Sequence, residues 1–423
     1  MRVGVKSIKG SIEVDKKKKI ELLAPAGDFE KLKVAVDYGA DAVYIGGGDF
    51  SLRSSAGLNT DELKSAAQYV HERGKKIYMA LNIYPHNEDL DAFKLFLTEI
   101  GNLDIDAFIV SDMGVIALLK EIIPDAELHL STQANTTNKL TAKFFENLGI
   151  KRIVLARELS LNEIREIREY LRPETELEAF VHGAMCISYS GRCLLSNFMI
   201  ERDANRGECA HPCRWKYALV EEQRPGEYFP IEEDGRGTYI LNSRDLCMIR
   251  YIPDLVKAGV ASAKIEGRIK SAFYVATIVG AYRKAIDEYY ENPENYEVNP
   301  VVLDEINKAS HREFTTGFYF DKPMNTAQSY QSSAYIREYS FVGVVKEYDH
   351  DTGIAVIEQR NKFSVGDEVE IFGPYTEFFT QTVHGLVNDE GEAVQDAPHP
   401  QQILKMKIDK AVAPGFLIRK RKE

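Results

Sequence analysis

The sequence predicts an α/β protein: a (β/α)8, TIM-like barrel with a Cys-rich insert, followed by a small all-β barrel. Three observations carry that prediction. Short β-type runs alternate with amphipathic stretches from residue 20 to residue 292. All five cysteines fall between Cys186 and Cys247. Beyond residue 340 the alternation stops, and turn signals recur about every ten residues between β-type segments. The expected organisation is an N-terminal extension at 1–19, the barrel at 20–292 with the insert at 183–247, an irregular linker at 293–339, and the β-barrel at 340–423.

Eight strands are expected at Glu21–Ala24, Ala42–Ile45, Lys76–Leu81, Ala107–Val110, Glu127–Leu130, Arg152–Leu155, Glu176–Val181 and Ser262–Ile265. Between them lie helical patterns such as Phe29–Tyr38, Thr60–Arg73, Leu90–Ile100 and Leu161–Tyr170. In the last of these, Leu161, Ile164 and Ile167 recur at helical spacing while Glu163, Arg165 and Glu166 face water. Eight strand–helix units of this length predict a barrel. A doubly wound sheet is the alternative, but no G-x-G-x-x-G turn follows the first strand. In the C-terminal part, strands are expected at Phe341–Tyr348, Ile354–Gln359 and Glu368–Phe372, with a turn at His350–Gly353.

Composition narrows the function classes. The chain has 423 residues, 44% apolar and 28% charged, normal for a globular protein. No apolar run approaches the roughly 18–20 residues of a membrane span. Met1–Lys19 is polar and lysine-rich without an apolar core, so no secretory signal is read there, and a cytoplasmic, thiol-reducing location is expected. The net charge of −12 means that any nucleic-acid contact must rest on a local basic patch.

Clustered cysteines in a reducing compartment read as metal-binding or catalytic before they read as structural. Cys209-x3-Cys213 with two further thiols can surround one metal centre, and thiolates select iron–sulfur clusters or zinc. The paired Cys-x2-Cys knuckles of a zinc ribbon are missing. Both metals, and scattered buried thiols, stay open on spacing alone. The same insert holds Tyr189, Arg192, Arg202, Arg206, Arg214, Trp215, Lys216 and Tyr217. Guanidinium groups clamp phosphates and exposed aromatics stack on unpaired bases. A basic loop bonded to its own carbonyls, with Trp215 as a core plug, is the plain alternative.

Polar residues just past strand C-termini build the active sites of such barrels. The candidates are Glu21, Asn82, Asp112, Gln133, Arg157, Glu178, His182, Lys264, Glu266 and Arg268. Glu178 and His182 lie on the strand that enters the insert, and Lys264, Glu266 and Arg268 alternate along the eighth strand and its loop. His71-Glu72 is not continued into a zinc-protease helix motif, and neither a Gly-x-Ser-x-Gly elbow nor a Walker loop occurs.

Three stretches carry a resemblance. Glu21-Leu-Leu-Ala-Pro-Ala-Gly27 with Ala40-Asp-Ala-Val-Tyr-Ile-Gly46, and Glu178-Ala-Phe-Val-His-Gly-Ala-Met-Cys186 with Ser190-Gly-Arg-Cys-Leu-Leu-Ser196, are similar to the collagenase-like peptidases, the U-32 family. Phe341–Pro374 resembles that family's C-terminal β-barrel. The family name implies peptide hydrolysis. The architecture of the whole chain is most similar to the family's tRNA hydroxylation proteins, which implies 5-hydroxyuridine formation at the wobble position of the tRNA anticodon loop. It also implies prephenate as hydroxyl donor and a 4Fe-4S cluster. The implied ligands are Cys186, Cys193, Cys209 and Cys247, with Cys213 as the alternate.

On this reading Glu178, His182, Lys264, Glu266 and Arg268 are the expected catalytic residues, and Lys264, Arg268 and Arg157 receive the carboxylated donor. Asn82, Gln133 and Arg157, with Arg202, Arg206, Arg214 and Trp215 towards the RNA, are the expected substrate contacts. A peptidase and a non-catalytic RNA- or ribosome-binding adaptor are the two rival functions.

Overall fold

The computed structural model describes residues 19–52, 58–186, 244–320 and 335–422. Within the insert it describes Ser190, Cys193, 195–202, Ala204, 207–212, Trp215, 219–220 and 228–229. Eight parallel strands close a barrel: β1 Glu21–Pro25, β2 Ala42–Gly46, β3 Lys76–Leu81, β4 Ala107–Val110, β5 Leu128–Leu130, β6 Arg152–Val154, β7 Glu176–Ala184 and β8 Ser262–Ile265. Each pairs with the next, and β8 joins β7 on one side and β1 on the other, with Lys264 opposite Phe180 and Glu21 opposite Ser262. Their side chains are almost all buried because helices cover the outside while side chains fill the inside.

The helices begin where the sequence supplies caps. Asn59 and Ser160 form capping boxes with Glu62 and Glu163, and Asp28, Asp112, Asn138 and Ser271 each accept a first-turn backbone N–H. These caps sit in the loops after β strands, so they fix the chain at the same barrel end that carries the strand-end side chains. Gly27 is required there: a Cβ on it would lie 2.0 Å from the Arg268 carbonyl oxygen.

β7 runs past its expected end at Val181 to Ala184. Its last residues pair antiparallel with a short strand, Asp245–Cys247, which in turn pairs with Phe314–Thr315. Both ends of the insert are thereby tied to one strand. Residues 293–339, expected to be irregular, carry the helix Pro300–Lys308, with Asn299 as its cap and Pro300 in its first turn. Proline is favoured in the first turn of a helix, where its missing N–H costs nothing, and Val302 and Ile306 supply the buried face.

The C-terminal part is an antiparallel half-barrel sheet. The strands Tyr339–Asp349, Ile354–Gln359, Glu368–Phe372, Phe379–Thr382, Leu386–Asn388, Ile403–Lys407 and Leu417–Arg421 wrap a core of Val342, Val345, Ile357, Ile371, Leu404 and Ile418. It is clamped to the barrel by Arg419, fully buried, whose guanidinium bonds Glu305 of the Pro300–Lys308 helix and Glu370 of the sheet, each at 2.7 Å. Phe273 of the long helix Ala272–Glu291 stacks on Phe341 with centroids 5.7 Å apart. Among the described residues no helix is long and apolar enough to cross a membrane.

Candidate active site at the barrel mouth

The barrel interior is built around charge. Glu178 on β7 is fully buried and accepts hydrogen bonds from Lys264 of β8 at 2.7 Å and Arg152 of β6 at 3.3 Å. Arg152 also bonds Glu21 at 2.5 Å and Glu176 at 2.6 Å, and the Tyr78 hydroxyl donates to Glu21. Burial pushes the Glu178 carboxyl up, but Lys264 and Arg152 outweigh it and hold it below the usual carboxylate range. The carboxylate stays ionised, and its two cations are held in place.

Above this layer lies a cavity of about 210 Å³ at the C-terminal ends of the strands. Lys264 forms part of its floor, with the ammonium 4.4 Å from the Tyr44 ring centroid. Asn82, just past β3, lines one wall, donating to Ser131 Oγ at 3.1 Å and accepting from the Leu52 N–H at 3.2 Å. Gln133 lines it from the turn after β5, and the Gln133 carbonyl is held by the Tyr84 hydroxyl. Arg157 follows β6, donates to the Ala184 carbonyl at 3.1 Å, and lies 4.0 Å over the Phe180 ring. Its buried Nε has no partner among the described residues. Arg268 is buried and reaches Ser51 Oγ at 3.4 Å, and Glu266 lies between it and Lys264 on the lining. The lining thus carries Arg157, Lys264, Arg268 and Lys270 against one carboxylate, Glu266. With Lys264 balanced by Glu178 beneath it, the remaining excess of positive charge suits an anionic ligand.

Cys186, Cys193 and Cys209 face the same cavity. Cys186 is exposed and the other two are half-buried. His211, held in the left-handed backbone region at φ 57°, places its Nδ1 3.9 Å from Cys209 Sγ. Cys247 is not on the cavity lining: it sits opposite His182 in the short antiparallel strand, packed against the core, and burial pushes its thiol up. Among the described residues no three His, Cys, Asp or Glu side chains converge on a point that would hold a single ion. Three soft thiols spread around one cavity fit a group larger than one ion.

His182 does not reach the cavity. β7 and β8 lose register between Lys264, opposite Phe180, and Ile265, opposite His182. This bulge turns the imidazole away from the Glu178 side and into a cage of Tyr274, Tyr282 and Phe314, with ring centroids 5.5–6.2 Å away. Burial pulls its pKa from 6.5 down to about 3, so it is neutral and is a packing residue, not an acid–base group in the mouth. The unfolded imidazole protonates near pH 6.5 and the folded one only near pH 3. Its contribution to stability is therefore full above pH 6.5 and falls by up to about 5 kcal/mol as pH drops towards 3. Urea titrations over that range on the native chain and on His182→Gln check this: the variant's stability should depend less steeply on pH, and an unchanged slope would contradict the assignment.

Of the expected RNA contacts in the insert, Arg202 and Trp215 are described and neither lines the cavity. Trp215 is 40% exposed, so it is not a core plug. Cys213, Arg206 and Arg214, with Tyr189, Arg192, Lys216 and Tyr217, lie outside the described residues. Sequence reasoning missed Tyr44, Ser131, Ser190, His211, Lys270 and Tyr335 on the lining. Ser131 and Lys270 follow strands directly and were findable by the strand-end rule; Tyr335 lies in the stretch read as linker.

Comparison with known proteins gives the family. Residues 27–329 match Peptidase family U32, and residues 337–419 match the Peptidase family U32 C-terminal domain. The chain is 43% identical to tRNA hydroxylation protein P1 of Bacillus subtilis, covering 96% of both chains. It is 38% identical to tRNA hydroxylation protein P of Escherichia coli, covering 90% of this chain and 92% of that one. It is also 31% identical to a collagenase of Porphyromonas gingivalis, covering 90% and 93% respectively. With its barrel and its C-terminal sheet both matched, this chain belongs to the U32 peptidase family.

Proposed function

We propose that this protein is an RNA-modifying hydroxylase that converts wobble uridine in the tRNA anticodon loop to 5-hydroxyuridine. The reading is supported by near full-length identity to two tRNA hydroxylation proteins. The observation that carries it is that Cys186, Cys193 and Cys209 share one cavity with the cations Arg157, Lys264 and Arg268. Cys186, Cys193 and Cys209 would hold a 4Fe-4S cluster, and Cys247, which lies off the cavity lining, would not be needed for it. When bound, such a cluster supplies redox capacity at the cavity wall.

The chain's own residues do the rest. Arg268 and Arg157 bind the carboxylates of a small donor such as prephenate, by charge-assisted hydrogen bonds. Lys264, fixed by Glu178, sets the donor's depth in the cavity. Asn82 and Gln133, also on the lining, offer amide groups to which a splayed-out base can be hydrogen-bonded. Mass spectrometry of tRNA nucleosides tests this. A strain lacking the gene is expected to lose 5-hydroxyuridine and the nucleosides derived from it, and to regain them when the gene is restored. Unchanged wobble uridines would contradict the reading.

A second reading is favoured by one contact, Cys209 Sγ at 3.9 Å from His211 Nδ1, and by identity to a collagenase. Here Cys209 would be the nucleophile of a peptidase and His211 its base. Gelatin cleavage by protein purified without air, abolished by Cys209→Ala, would establish it; no cleavage would remove it.

A further inference from the structure

Tyr335 stands on the cavity lining, in the segment expected to be a linker. An antiparallel bridge fixes that segment, with the Ile336 N–H 2.7 Å from the His311 carbonyl and the His311 N–H returning at 3.3 Å. In extended backbone, residues two apart project to the same side, so Tyr335 and Arg337 face one way and Ile336 the other. Three cations gather on the Tyr335 ring: Lys270 Nζ at 3.9 Å from the centroid, Arg312 at 5.2 Å and Arg337 at 5.7 Å.

Their charges are not equivalent. Arg312 is buried and committed to Asp245 at 2.7 Å. Among the described residues neither Lys270 nor Arg337 has a carboxylate partner. Cation–π attraction contributes only about 0.5–1 kcal/mol at exposed sites, and two like charges held on one ring repel each other. A bound anion relieves that repulsion. In a chain of net charge −12, two cations without an ion-pair partner among the described residues, brought together from two separate segments, form a local anion site.

We propose that Lys270 and Arg337, assembled on Tyr335, form a phosphodiester clasp that grips the RNA backbone next to the nucleotide entering the cavity. This rests on the RNA-hydroxylase reading above. Position distinguishes the clasp from the donor site. Arg157 and Arg268 are on the cavity lining, where a small carboxylated molecule fits, whereas Arg337 is exposed and off that lining, held over the lining residue Tyr335. A polymer backbone must stay at the rim while one base goes in.

The test is equilibrium binding of a synthetic anticodon stem-loop carrying an unmodified wobble uridine. It uses the full chain purified without air and is repeated over a range of salt. The Lys270→Ala/Arg337→Ala double variant is expected to bind at least about tenfold more weakly, and its log–log salt slope to fall by about 0.7–1.4 for one or two lost phosphate contacts. Lys270→Arg should restore most of the affinity, Tyr335→Phe should behave as the native chain, and Tyr335→Ala should weaken binding. Arg337→Glu, an exposed substitution that leaves the fold intact, should weaken binding further. Native affinity and slope in the double variant and in Arg337→Glu would overturn the clasp. A native chain that binds no stem-loop would overturn the RNA reading itself, and the clasp with it.

Discussion

Replacing Glu178 by alanine should destabilise this protein by roughly 3–5 kcal/mol, because it leaves charge buried without its partner. Lys264 pairs with Glu178 at 2.7 Å, whereas Arg152 keeps Glu21 and Glu176. The orphaned group is therefore the Lys264 ammonium, left against the Tyr44 and Phe180 rings and the like charges of Arg268 and Arg152. A double change, Glu178→Leu with Lys264→Met, removes both charges and fills similar volume, so it should recover much of the loss. Denaturant midpoints of the native chain, the single and the double variant measure this. A single variant within about 1 kcal/mol of native stability, or a double variant worse than the single, would contradict the account. The double variant should still lose hydroxylation, since Lys264 is on the cavity floor.

Serine at Cys186, Cys193 or Cys209 should each remove most of the bound iron, while Cys247→Ser should keep it. The first three thiols face the cavity from separate points of the chain. A cluster that loses one of its thiolates loses a bond to iron that a serine hydroxyl replaces poorly. Cys247 is packed against the core and lies off the cavity lining. Iron per polypeptide after air-free purification separates the outcomes. Equal loss in Cys247→Ser would put that residue among the ligands and require the Asp245–Cys247 strand to swing towards the mouth.

Most of the barrel was legible because its strands are short, aliphatic and spaced by helices whose caps are local signals. Lys76–Leu81, Ala107–Val110 and Ser262–Ile265 fall where the residue pattern puts them. Strand-end polarity likewise found Asn82, Gln133, Arg157, Lys264, Glu266 and Arg268, all of which line the cavity. It could not foresee that Glu178 lies beneath that cavity as the counter-charge of Lys264, since a pairing across strands has no sequence signature. His182 was misplaced because strict alternation carries it to the same side as Glu178, and the bulge that breaks the alternation depends on the neighbouring strand. Cys247, a ligand implied by the resemblance, is on a strand that pairs with β7 and lies off the cavity lining. Tyr335 and Arg337 were missed because their relation to Lys270 is made by a single bridge between His311 and Ile336, a contact no local pattern encodes.

The central claim is that the three mouth thiols hold an iron–sulfur cluster beside a cationic cavity. Its most direct test is the visible spectrum and the iron and acid-labile sulfide content of the full-length chain, purified without air. The account predicts a brown protein with iron and sulfide in equal amounts, both lost on exposure to oxygen. A colourless protein carrying zinc, or no metal, from the same preparation would contradict it.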